Sequence, residues 1–83
     1  MSKKEKLIER LKSKPRDFTF DEMETLLLSL GFIKCKHGKT SGSRIRYEKN
    51  GIPIFLHIPH PRNELKPYQV RNILTVLRKE KLI

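Results

Sequence analysis

Three side chains in this sequence can exchange a proton near neutral pH: His37, His57 and His60. His60 lies in Pro59-His60-Pro61, where two rings restrict the backbone and hold the imidazole in place. A helix opening a few residues later offers free N–H groups to a phosphate. His60 is therefore a candidate for acid–base chemistry or for direct contact with a phosphodiester. His57 is expected opposite Arg44 of the neighbouring strand, which sets a positive charge beside its imidazole. His37 starts a glycine-containing loop and reads as surface. The pair His57 and His60 makes a poor metal site, because an odd spacing along a strand turns the rings to opposite faces. No Asp, Glu or Cys stands within three residues of either.

Cys35 is the single cysteine, which excludes an internal disulfide framework and a zinc finger. Its place on a short strand, with Ile33 and Cys35 facing inward, predicts a buried small hydrophobe rather than a nucleophile. Gly38, Gly42 and Ser43 lie in HGKTSGS, which is not a Walker loop because no second glycine element fits it. The stretch reads as a flexible connection whose Lys39 touches the backbone of a ligand. No metal and no cofactor is expected.

These residues must be positioned by few elements. Leu7, Ile8 and Leu11 share one face of a short helix over Lys3–Lys14, stopped by Pro15. Thr19-Phe20-Asp21-Glu22 fits a capping box, after which Met23, Leu26, Leu27 and Leu30 recur at helical spacing up to Gly31. The Leu26–Leu28 run is expected in the core. From Phe32 the period changes to two. Phe32–His37 reads as a strand, and Ser43–Glu48, Asn50-Gly51 and Ile52–Ile58 form a hairpin signal. Pro53 places the last strand at an edge over its first residues. A final helix opens at Pro67 and carries Val70, Ile73, Leu74 and Leu77 inward.

A two-residue Asn50-Gly51 loop sets Lys49 opposite Ile52, Tyr47 opposite Ile54, Arg46 opposite Phe55, Ile45 opposite Leu56 and Arg44 opposite His57. One face then carries Ile45, Tyr47, Ile52, Ile54, Leu56 and Ile58, against which the helices pack. The other carries Arg44, Arg46, Phe55 and His57, with Glu48 at its rim. Lys34 and Lys36 are expected to join this second face from the first strand. Basic side chains with one exposed aromatic suit a nucleic acid; the alternative is that they are the ordinary solvated side of a half-buried sheet.

Composition agrees with the first of these. The 83 residues carry 19 Lys+Arg against 9 Asp+Glu, a formal net charge of +10. Residues 1–24 hold seven basic and six acidic side chains, whereas residues 25–83 hold twelve and three. The second part is where a polyanion would be met. A chain this short buries only about 60% of its unfolded surface, which disfavours a deep cofactor cleft. Its longest apolar run, Leu26-Leu27-Leu28, is far short of the roughly 20 residues of a membrane span, and MSKKEKLIER lacks the apolar core of a signal peptide. The expectation is a cytoplasmic protein with no membrane partner.

Taken in order, Gly31-Phe32, GKTSGSRIRY from Gly38 to Tyr47 and IPHPRNELKPYQVRNIL from Ile58 to Leu74 resemble the HicA toxins of bacterial type II toxin–antitoxin modules. The resemblance covers about residues 20–83. It implies an α+β fold like the double-stranded-RNA-binding domain, α-β-β-β-α, with a three-stranded antiparallel sheet and helices on one face. Here that core, residues 19–83, carries an appended helix over residues 1–15 within one domain. It also implies a metal-independent endoribonuclease, an mRNA interferase, that is neutralised by a HicB-type antitoxin, monomeric when free and hetero-oligomeric with the antitoxin. The family histidine before the last helix matches His60. Where many members carry a histidine directly after the Gly-Ser of the second strand, Arg44 follows Gly42-Ser43. The expected roles are His60 as principal acid–base group, His57 assisting it and Arg44 stabilising phosphate charge. Lys34, Lys36, Lys39, Arg46, Phe55, Arg62 and Lys66 would hold the RNA. The alternative is a non-catalytic RNA-binding module of the same fold.

Overall fold

The computed structural model describes residues 3–35, 44–58 and 63–83. Helix α1, Lys3–Lys12, seats Leu7 and Leu11 in the core and leaves Ile8 half-buried against it. The chain then reverses at Lys14, whose φ is 52°, and Pro15 prevents the helix from resuming. Arg10 ties α1 to the start of the second helix and to the connection between the two. Its Nε donates to Glu22 Oε2 at 2.9 Å, its terminal nitrogen reaches Asp17 Oδ1 at 3.2 Å, and its guanidinium lies 5.5 Å from the Phe18 ring centroid.

Helix α2, Phe20–Ser29, opens on the expected capping box: the Glu22 N–H donates to Thr19 Oγ1 at 3.1 Å and the Thr19 N–H to Glu22 Oε1 at 3.0 Å. Burial pushes the Glu22 carboxyl up, but the hydrogen bonds and charge of Arg10 together with Thr19 outweigh it and leave it below its usual range. At the other end Gly31 takes a φ of 100°, open to glycine at little cost. Lys49 Nζ donates to the Leu30 carbonyl at 2.5 Å, which sets a cation at the helix C-terminus. Phe20, Met23, Leu26, Leu27 and Leu30 are buried, whereas Leu28 is 48% exposed. The expectation that the whole Leu26–Leu28 run is core is thus corrected. Successive helical residues turn by about 100°, so three in a row cannot share one stripe.

Strands β1 (Ile33–Cys35), β2 (Arg44–Lys49) and β3 (Ile52–His57) form an antiparallel sheet in the order β1-β2-β3. Asn50 and Gly51 have φ of 49° and 79°, the two left-handed residues that match a two-residue turn to strand twist. That turn produces every expected pair, from Lys49↔Ile52 to Arg44↔His57. Pro53 lies on edge strand β3, where its missing N–H need not cost a ladder bond.

The last segment is held against α2 before its helix begins. The Phe20 N–H donates to the Asn63 carbonyl and the Leu65 N–H to the Phe18 carbonyl, both at 2.8 Å. Helix α3, Pro67–Lys79, has Pro67 in its first turn and buries Val70, Ile73, Leu74 and Leu77. These meet Tyr47, Ile54 and Leu56 from the sheet, Leu7 and Leu11 from α1, and the α2 stripe in one core. The architecture is α+β, α-β-β-β-α behind an N-terminal helix, with the core on one side of the sheet. Among the described residues no helix is long and apolar enough to cross a membrane.

Candidate functional site

Because β2 and β3 bury alternate residues, the positions between them must face away from the helices. Arg44, Arg46, Phe55 and His57 are all exposed, with Arg44 paired to His57 and Arg46 to Phe55 across the ladder. The Arg44 guanidinium carbon lies 4.9 Å from the Phe55 ring centroid. That is a cation–π contact, so Phe55 is not a lone aromatic: one of its jobs is to hold Arg44 at the mouth of the hairpin's open end. Arg46 is engaged differently, its terminal nitrogen 2.7 Å from Glu48 Oε2. Of the two arginines only Arg44 is without a carboxylate partner among the described residues.

The first strand departs from expectation. Lys34 pairs with Tyr47, whereas Ile33 pairs with Glu48 and Cys35 with Arg46. Its parity is therefore inverted: Ile33, 70% exposed, and half-buried Cys35 stand on the open face, and Lys34 stands on the helix side. The reason lies one residue earlier. Phe32 is 3% exposed and its N–H donates to the Leu27 carbonyl, so the turn out of α2 drives Phe32 inward and alternation sends Ile33 out. Lys34 Nζ then reaches Glu24 Oε2 at 3.3 Å. Glu24 also accepts the hydroxyl of fully buried Tyr47, whose phenol is raised well above its ordinary range by burial first, then by the hydrogen bond to Glu24 and by its charge. Lys34 is thereby part of a link joining α2, β1 and β2, apart from the open face.

Arg44, Arg46, Phe55 and His57 are thus brought together, and Lys34 is not. Lys66 is exposed at the N-cap of α3, where its N–H meets Gln69 Oε1 at 3.4 Å. Lys36, His37, Lys39, His60 and Arg62 lie outside the described residues. Among the described residues no group of three or more His, Cys, Asp or Glu is placed to hold a metal ion.

Two hollows have no counterpart among the sequence-based expectations. Along the β3 edge, a groove of about 310 Å³ separates the strand from α3 and is lined by Phe55, His57, Tyr68, Gln69, Asn72 and Ile73 among others. Gln69 is 6% exposed, and its Nε2 is buried with no acceptor among the described residues. A donor left so is ordinarily costly, about 1–3 kcal/mol. The second hollow, about 330 Å³, brings Lys14 and Arg16 from the α1–α2 connection beside Pro67 and Arg71 of α3. The i, i+4 pair Tyr68 and Asn72 marks a helix face in the sequence, but nothing local says which strand edge it meets.

No curated protein and no solved structure matches the chain. A family model does: that of the HicA toxin of bacterial toxin–antitoxin matches residues 20–78. These residues hold α2, the three strands and nearly all of α3, the elements that build the open face and both walls of the β3–α3 groove. By that match over most of its length, the chain belongs to the HicA family of toxins of bacterial toxin–antitoxin systems.

Proposed function

We propose that the protein is a metal-independent endoribonuclease of the cytoplasm that cleaves messenger RNA and is held inactive by a HicB-type antitoxin covering the same face. The observation that carries this reading is the exposed pair of Arg44 and His57, joined to Phe55 on one sheet face, with His57 three residues before His60 in the sequence. Cleavage of RNA without a metal needs a base for the 2′-hydroxyl, an acid for the leaving 5′-oxygen and positive charge on the phosphorane-like transition state. In the proposed scheme the 2′-oxygen loses its proton and bonds to phosphorus. The bond from phosphorus to the 5′-oxygen breaks, and that oxygen takes up a proton. The products are a 2′,3′-cyclic phosphate and a free 5′-hydroxyl. His60 is the principal acid–base group, His57 assists or orients, and Arg44 meets the charge that builds on the non-bridging oxygens. Lys36, Lys39, Arg46, Arg62 and Lys66 hold the strand.

Purified protein incubated with single-stranded RNA in EDTA is expected to give products ending in 2′,3′-cyclic phosphate, and a 2′-deoxy substitution at the cut nucleotide is expected to block them. One observation favours a second reading, that of a non-catalytic RNA-binding module. Arg44 follows Gly42-Ser43 at the position the resemblance assigns to a histidine, and a guanidinium does not give up a proton in proteins. Salt-sensitive binding without any products would decide for it.

Pairing of Arg46 with Glu48 makes a further difference measurable. Glu48→Gln removes the carboxylate that occupies Arg46, so RNA affinity at low salt is expected to rise by about threefold, with a steeper dependence on salt concentration. Filter binding across a salt series measures both. An unchanged affinity and slope would mean that Arg46 does not contact RNA.

A further inference from the structure

We propose that the groove between the β3 edge and α3 is a nucleobase pocket, taking one unstacked base of the RNA whose backbone crosses the open face; the proposal rests on the reading of the protein as an RNA-cleaving toxin. Its first support is chemical. Phe55 and Tyr68, 42% and 48% exposed, give the groove two aromatic surfaces, the kind of wall on which unpaired bases stack. Asn72 adds a side-chain amide, which recognises the donor and acceptor pattern of a base edge. Gln69 already spends its oxygen on the Lys66 N–H, while its Nε2 lacks an acceptor among the described residues. That nitrogen is shut off from solvent, so the amide open to a base in the groove is that of exposed Asn72.

The lining also excludes the alternative anionic ligand. No lysine or arginine lines this groove among the described residues, so it is built for a neutral ring. The other hollow, with Lys14, Arg16 and Arg71, has the opposite character. Continuity with the proposed site is the third support. β3 is a sheet edge, so Phe55 and His57 border both the open face and the groove, and Arg44 lies over Phe55. A phosphate held at Arg44 leaves an adjoining base free to swing over the edge of β3.

Isotope-labelled protein titrated with the four nucleosides, which carry no phosphate, tests the groove without requiring cleavage. The backbone amides of Phe55, Tyr68 and Asn72 are expected to shift with at least one nucleoside, and those of Tyr68 and Asn72 to stay still with inorganic phosphate. Tyr68→Ala and Asn72→Ala change exposed side chains and should fold as the parent does. Tyr68→Ala is expected to weaken binding of a short 2′-deoxy-blocked RNA about tenfold, the loss of one stacked base, and Asn72→Ala to alter which bases flank the cut. Silent amides, or shifts produced only by the antitoxin, would overturn the pocket, as would unchanged affinity and cut sites in both variants. A parent that never cleaves RNA, yet shows the nucleoside shifts, would overturn the ribonuclease reading while leaving the pocket standing.

Discussion

Alanine at His60 is expected to lower the rate of RNA cleavage by about 10²- to 10⁴-fold, the usual worth of a positioned acid–base group. Arg44→Ala is expected to cost about 10²- to 10³-fold, since it removes a preorganised charge from the transition state. His57→Ala should cost about tenfold, as befits an assisting group. Circular dichroism and binding of a 2′-deoxy-blocked RNA serve as controls, because both Arg44 and His57 are exposed and neither is part of the core. Arg44→Lys separates two contributions of this side chain. It keeps the charge but loses the planar group that lies over Phe55, so a rate between those of parent and Arg44→Ala is expected. Initial rates on a defined single-stranded RNA measure the whole series. Should all three alanine variants cut as fast as the parent, the assignment of the site is wrong.

The second large effect concerns stability and comes from a helix that precedes the family match. Leu11 of α1 is 0% exposed and belongs to the same core as Met23, Tyr47 and Leu77. Leu11→Ala removes buried methyl groups and leaves a cavity, which costs about 2–5 kcal/mol. A domain of this size has roughly 4–12 kcal/mol in total, at about 0.05–0.15 kcal/mol per residue. The urea midpoint should therefore fall by about a sixth or more, and a protein at the lower end of that range would be largely unfolded. Leu28→Ala is the matched control: on exposed Leu28 the same chemical change is expected to stay within about 0.5 kcal/mol. Equal midpoints for the two variants would mean that α1 does not share the core in solution. The match to residues 20–78 does not extend to α1, so the proposed architecture, one domain with α1 as an added helix over its core, is tested by the same comparison.

Where a structural signal is local, the sequence alone determined the outcome. Thr19 and Glu22 carry the start of α2 within four residues, Pro67 carries the start of α3, and Asn50-Gly51 fixes the β2–β3 pairing because a two-residue turn leaves one register. From that register followed the face on which Arg44, Arg46, Phe55 and His57 meet, the four residues of the proposed site that the sheet brings together. The tertiary structure decided what no short segment encodes. The three residues of β1 are too few for alternation to choose a face, and the choice was made by the exit from α2, where Gly31 turns the chain and Phe32 claims the core. That single step carried Lys34 away from the open face and brought Ile33 and Cys35 onto it. The groove is likewise a product of packing. Tyr68, Gln69 and Asn72 face Phe55 and His57 only because α3 lies along the free edge of β3, a contact between distant segments that the burial of one shared core imposes.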